Sequence, residues 1–99
     1  MAIMEIKILP LGTPEASVSD EVAAAVQVLV DKGVPYILTA MGTILESDSA
    51  GQLFELAREM HAKVLQKNAR VVTFIELDER TDKTETAEQK VRSAQEKIH

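Results

Sequence analysis

The chain has 99 residues, 45% of them apolar and 27% charged, a balance that fits one globular domain (1–99) around one core and excludes a disordered chain. A net charge of -5, with no block of lysines or arginines to offset it, sets an unfavourable field against nucleic acid or an anionic membrane. The lack of cysteine excludes a disulfide scaffold, a thiol nucleophile and every thiolate metal site.

Residues 1–5 lack the basic and long apolar segments of an export signal. No run approaches the roughly 18 apolar residues of a membrane span, so a cytoplasmic protein is expected. Residues 3–9 alternate, with Met4, Ile6 and Ile8 on one face and Glu5 and Lys7 on the other, as in a strand with one face on a core. The Pro10-Leu11-Gly12-Thr13-Pro14 segment is expected to stop that strand. Ser17 reads as the N-cap of a helix over about residues 18–32, with Asp20 and Glu21 in its first turn and Gly33 in its C-terminal cap.

Pro35 restarts the chain in extended form. Residues 36–39 and 43–46 are short β-rich runs around Ala40-Met41-Gly42, either a hairpin or a bulged, bent pair, with Gly42 supplying the turn. Ser49 and Gln52 have capping-box spacing, and Leu53, Leu56, Ala57, Met60 and Val64 form the stripe of a second helix ending near residue 68. Residues 70–78 are the strongest strand. Apolar side chains on both of its faces imply that both are covered. Residues 86–98 are helical, opened by a Thr86–Gln89 capping-box pair, with a thin stripe of Ala87, Val91, Ala94 and Ile98 that docks on its own domain or on a neighbour's.

The order β-α-β-β-α-β plus a terminal helix predicts an α+β, ferredoxin-like sandwich: a four-stranded antiparallel sheet with two helices on one face. No element remains for the other face, where Val72 and Phe74 (or their in-register partners) would lie. Association of two copies through their sheets is therefore expected.

Two segments could carry a site. Around Gly12 and the start of the first helix, backbone donors and the hydroxyls of Thr13, Ser17 and Ser19 could receive a ligand, although a helix cap behind a proline-glycine loop explains the same residues. Thr39-Ala40-Met41-Gly42-Thr43 could make an adaptable apolar wall rimmed by hydroxyls, or a turn with a core methionine. His61 and His99 have no partner at metal-ligand spacing, and no carboxylate pair converges on a pocket. A non-catalytic protein with no metal and no cofactor is expected.

Pro10-Leu11-Gly12-Thr13, Ser17-Val18-Ser19, then Met41-Gly42-Thr43 with Glu46, and Asp78-Glu79-Arg80 leading to Lys90-Val91, resemble the thiamine-binding protein family (DUF77, UPF0045) over nearly the whole chain. The resemblance implies a ferredoxin-like fold, dimers that pair into homotetramers, and binding of thiamine or its hydroxymethylpyrimidine portion without catalysis. It implies a pocket drawn from Leu11, Gly12, Thr13, Ser17, Ser19, Thr39, Met41, Gly42 and Thr43. In that picture Ser17, Ser19 or Thr39 meets the aminopyrimidine edge, Leu11 and Met41 sandwich the ring, and Glu46 offsets the thiazolium charge from a distance. Ala40 stands where the family commonly has proline, and Ser47 where glycine is usual. Two other readings are an oligomeric scaffold and a binder of a phosphorylated metabolite at the start of the first helix.

Overall fold

Alternation along the first strand orients the rest of the molecule. The computed structural model describes all 99 residues, Met1 to His99. Strand β1 (Ala2–Pro10) buries Ala2, Met4, Ile6, Ile8 and Pro10 and leaves the residues between them half-buried. It lies inside an antiparallel sheet of order β2-β3-β1-β4, formed with β2 (Ile37–Leu38), β3 (Thr43–Ser47) and β4 (Val71–Glu79). That order, with helix α1 (Ser19–Lys32) after β1 and α2 (Ala50–Leu65) after β3, is the ferredoxin-like sandwich. The strand does not stop before Pro10, which pairs with Val71.

Both helices cover the face carrying the even residues of β1. Met4, Leu29, Leu45, Leu53, Met60 and Val64 are almost wholly buried between the layers. Removing such side chains from water stabilises the fold by about 1.5–3 kcal/mol each. Ser17 is not the N-cap of α1. Val18 holds that position, and the Ser17 hydroxyl lies one residue earlier, accepting weakly from the Ser19 N–H at 3.4 Å. Gly33 closes the helix in the left-handed region at φ 68°. Its N–H donates to Val30 O at 3.1 Å, and the Val34 N–H donates to Leu29 O at 2.9 Å.

Ser49 caps α2 by accepting the Gln52 N–H at 3.4 Å, but the capping box is incomplete because the Gln52 side chain turns to the Ser47 hydroxyl. The α-helix ends at Leu65, short of Asn68, whose amide donates to Val64 O at 2.9 Å. His61 Nδ1 meets Thr73 Oγ1 at 2.5 Å and ties α2 to β4.

Within one chain the faces of β4 are not fully covered: Phe74, Ile75 and Leu77 are exposed. The strand is an edge, and only β1 pairs with it. Helix α3 (Ala87–Gln95) corrects the expectation that nothing covers the second sheet face. Its Thr86–Gln89 capping box is complete, and its first turn docks where the Ala87 N–H donates to Glu46 Oε2 at 2.7 Å and Lys90 pairs with Asp78. Beyond that end the face stays open, with Phe74 54% exposed. No helix is long and apolar enough to cross a membrane.

Candidate ligand-binding site

The β1–β3 ladder starts at Ala2↔Ser47 and ends at Ile6↔Thr43, where the chain before Thr43 leaves the sheet in a turn. Thr39 holds that turn. Its N–H and its hydroxyl donate to Gly42 O at 2.9 and 2.8 Å, and Oγ1 accepts the N–H groups of Met41 and Gly42 at 3.2 and 3.1 Å. Four hydrogen bonds on one threonine close the loop, with no proline in it.

Gly42 does not supply the turn through unusual torsions, since only Gly12 and Gly33 have positive φ. Its role is close approach: a Cβ there would lie 3.1 Å from Glu5 Cγ and 3.2 Å from the Ile6 carbonyl oxygen.

Where turn and β1 separate, a cavity of about 270 Å³ opens. Ile6 and Ile8 of β1 form one wall, Val18, Val22 and Ala25 of α1 a second, and residues 38–43 a third, with Met60 reaching in from α2. The lining is mostly apolar. Thr43 is the one polar residue of the lining that is buried, 5% exposed; its hydroxyl bonds to no protein group and is reached from the cavity. Lys7 contributes to the wall, but its ammonium lies 6.0 Å from the centre of the Phe74 ring, which follows β1 onto the opposite sheet face.

Of the residues singled out from sequence, Thr39, Met41, Gly42 and Thr43 meet at this cavity. Leu11, Gly12, Thr13 and Ser17 lie outside it in the exposed loop after β1. Gly12 has φ 78°, the Thr13 hydroxyl donates to Glu15 O at 3.1 Å, and the hydroxyls of Ser17 and Ser19 bond each other at 3.1 Å. Ser19 borders a shallow apolar groove along α1, continuous with the cavity through Val18, Val22 and Leu38. Asp20 and Glu21 occupy the first turn of α1, which disfavours an anion there. Glu46 is on the other side of the sheet, bound to α3.

Sequence reasoning missed Ile8, Val18, Val22, Leu38 and Met60 as lining residues. Their periodic placement reads as ordinary core, and only the end of the ladder makes them walls.

Fold and cavity together define an α+β sandwich with a mostly apolar slot and few polar anchors, the form of a small-molecule site. The model of the thiamine-binding protein family matches residues 4–95, and the chain belongs to that family. It is 39% identical to a UPF0045 protein of Methanothermobacter thermautotrophicus, over 99% of this chain and 100% of that one. It is 37% identical to the UPF0045 protein YqgV of Bacillus subtilis, over 94% and 93%. The crystal structure of hypothetical protein MJ1052 from Methanocaldococcus jannaschii superposes with a TM-score of 0.86 at 37% identity, covering 96% of each chain. A Thermotoga maritima protein whose proposed role is thiamine biosynthesis or salvage shares the fold, with a TM-score of 0.79 at 18% identity over 94% and 97%. The family is described by binding, and none of these relatives carries a catalytic name.

Proposed function

We propose that the protein binds thiamine or its hydroxymethylpyrimidine portion in the cavity at the end of the β1–β3 ladder, without catalysis, as a homo-oligomer. The observation that carries this reading is the Thr43 hydroxyl, which no protein group binds and which opens onto an apolar slot. A flat aminopyrimidine needs such a setting, two apolar faces and a few directed hydrogen bonds. The cavity, about 270 Å³, is at the small end of ligand pockets. It suits one ring, leaving the thiazolium at the mouth beside exposed Met41. A cationic ring is favoured by a protein of net charge -5, and no cationic head in the cavity awaits a phosphate.

The oligomer is supported by the second sheet face, of which α3 covers only one end. Phe74, Val91 on α3 and Ile98 beyond its end remain exposed there or beside it, surface that a single soluble chain avoids. Pairing of two copies through this face would bury it.

Isothermal titration with thiamine, hydroxymethylpyrimidine and thiamine diphosphate in parallel tests the reading. Micromolar or tighter binding of the first two, with weaker binding of the diphosphate, is expected. Absence of heat with all three at concentrations where the assembly is intact would overturn it.

A further inference from the structure

We propose that the main chain of Ile8 is the directional anchor of the cavity, and that it selects a ligand edge in which a ring nitrogen adjoins a primary amine. The inference rests on the ligand reading above and adds the group that orients the ligand.

Successive residues of a strand turn their N–H and C=O groups toward opposite neighbours. On β1 the odd positions face β4: the Leu11 N–H donates to Arg70 O at 3.0 Å, and Met1 O accepts from the Arg80 N–H at 3.1 Å. The even positions therefore face β3. Ile6 is the last of these with a partner, Thr43. Ile8 comes next on the same side.

The residue that would oppose Ile8 is Met41, and the turn has removed it: the Met41 N–H donates to the Thr39 hydroxyl at 3.2 Å. No turn, loop or side-chain hydrogen bond reaches the Ile8 N–H or C=O. Yet Ile8 is only 7% exposed and lines the cavity. Buried backbone groups are nearly always partnered, so an orphan donor and acceptor side by side in an apolar slot mark where a ligand completes them. The last even position is Pro10, which has no N–H to leave unsatisfied.

In a ladder, one residue's N–H and C=O are matched by the C=O and N–H of a single opposing residue. A ring nitrogen beside an exocyclic amine offers the same acceptor–donor pair on one rigid edge. Such an amino-azine takes the position that Met41 vacates, with its faces against the apolar walls. The Thr43 hydroxyl adjoins the same wall and can serve a further polar atom of the ring.

The test is amide hydrogen exchange of ¹⁵N-labelled full-length protein, read at Ile8 with Ile6 as the ladder-bound reference. The ligands are hydroxymethylpyrimidine, its analogue with hydrogen replacing the amine, and 2-aminopyridine as the minimal probe. Saturation with either amine should slow Ile8 exchange at least about tenfold with Ile6 unchanged, and the deaminated analogue should bind at least about tenfold more weakly. Binding of hydroxymethylpyrimidine with Ile8 exchange unaltered would overturn the inference and leave the ligand reading standing. Protection of Ile8 by 2-aminopyridine, with no binding of thiamine or hydroxymethylpyrimidine, would uphold it and remove that reading. No protection by any amine at millimolar concentration would also overturn it.

Discussion

The Ala87 N–H donates to the Glu46 carboxylate at 2.7 Å, across 41 residues of chain, and this bond seats the C-terminal helix on the sheet. Glu46 thus holds structure on the face away from the cavity. Replacing it with alanine should free α3 from the sheet while the Thr86–Gln89 capping box keeps the helix formed. The expected cost is about 1 kcal/mol in chemical denaturation, with faster exchange at Ala87. Thiamine affinity should be unchanged. A tenfold loss of affinity would return Glu46 to the ligand.

The second tether of α3 gives a pH dependence. The Lys90 hydrogen bond, and then its charge, hold the Asp78 carboxyl below the usual carboxylate range. A carboxyl lowered on folding adds stability above its unfolded value, about 3.9, and loses that contribution as pH falls through the lower folded value. Protection of α3 amides should therefore be flat around neutrality and drop below about pH 4. The Asp78→Asn variant should lack that part of the drop. The effect is small because both groups are at the surface.

Thr43→Val preserves shape and removes the cavity hydroxyl that no protein group binds. Stability should hold within about 0.5 kcal/mol, because no internal hydrogen bond is lost. Affinity for hydroxymethylpyrimidine should fall about fivefold, the value of one hydrogen bond near 1 kcal/mol. Calorimetry on both proteins decides it, and equal affinities would exclude Thr43 from the contact.

Gly42→Ala forces a methyl against the Ile6 carbonyl, which the Ile6↔Thr43 pairing holds in place. The Glu5 side chain can swing aside, but the carbonyl cannot. A loss of about 1–2 kcal/mol is expected from overpacking, read as a lower denaturation midpoint. Because the turn carries Met41 and Thr39, ligand affinity should fall with it.

Phe74→Glu places a charge on the open sheet face. The wild-type chain should sediment as a dimer or larger and the variant toward the 10.9 kDa of a single chain. A wild-type protein that stays at 10.9 kDa at every concentration would rule out the assembly.

The fold was legible because short-range patterns specify it. Alternation at Met4, Ile6 and Ile8, the helical stripe from Leu53 to Val64 and a glycine after Lys32 each act within a few residues, and the order of elements then leaves one compact arrangement. One wall of the candidate cavity was legible for a similar reason: threonines flanking Met41 and Gly42 mark a polar-rimmed turn. The other walls were hidden. Ser17 precedes the cap by one residue, a shift that periodicity does not resolve. The hydroxyl of Thr39 serves the turn, and only geometry reveals that Thr43 has the free one. Glu46 and Ala87 are too far apart in sequence for any local pattern to join them.

Pro10 has a consequence for what the cavity refuses. An extended peptide that docks by adding a strand needs several successive donors and acceptors along an open edge. Here that edge offers one donor, at Ile8, because Ile6 is already paired and Pro10 carries none. A peptide would gain one rung and leave the rest of its backbone unmatched against apolar walls, whereas a small heterocycle needs no more than that rung. The same proline that ends the donor row without breaking the strand thus makes the gap a poor seat for a polypeptide, a neighbour's chain included, and would leave it to a small ring.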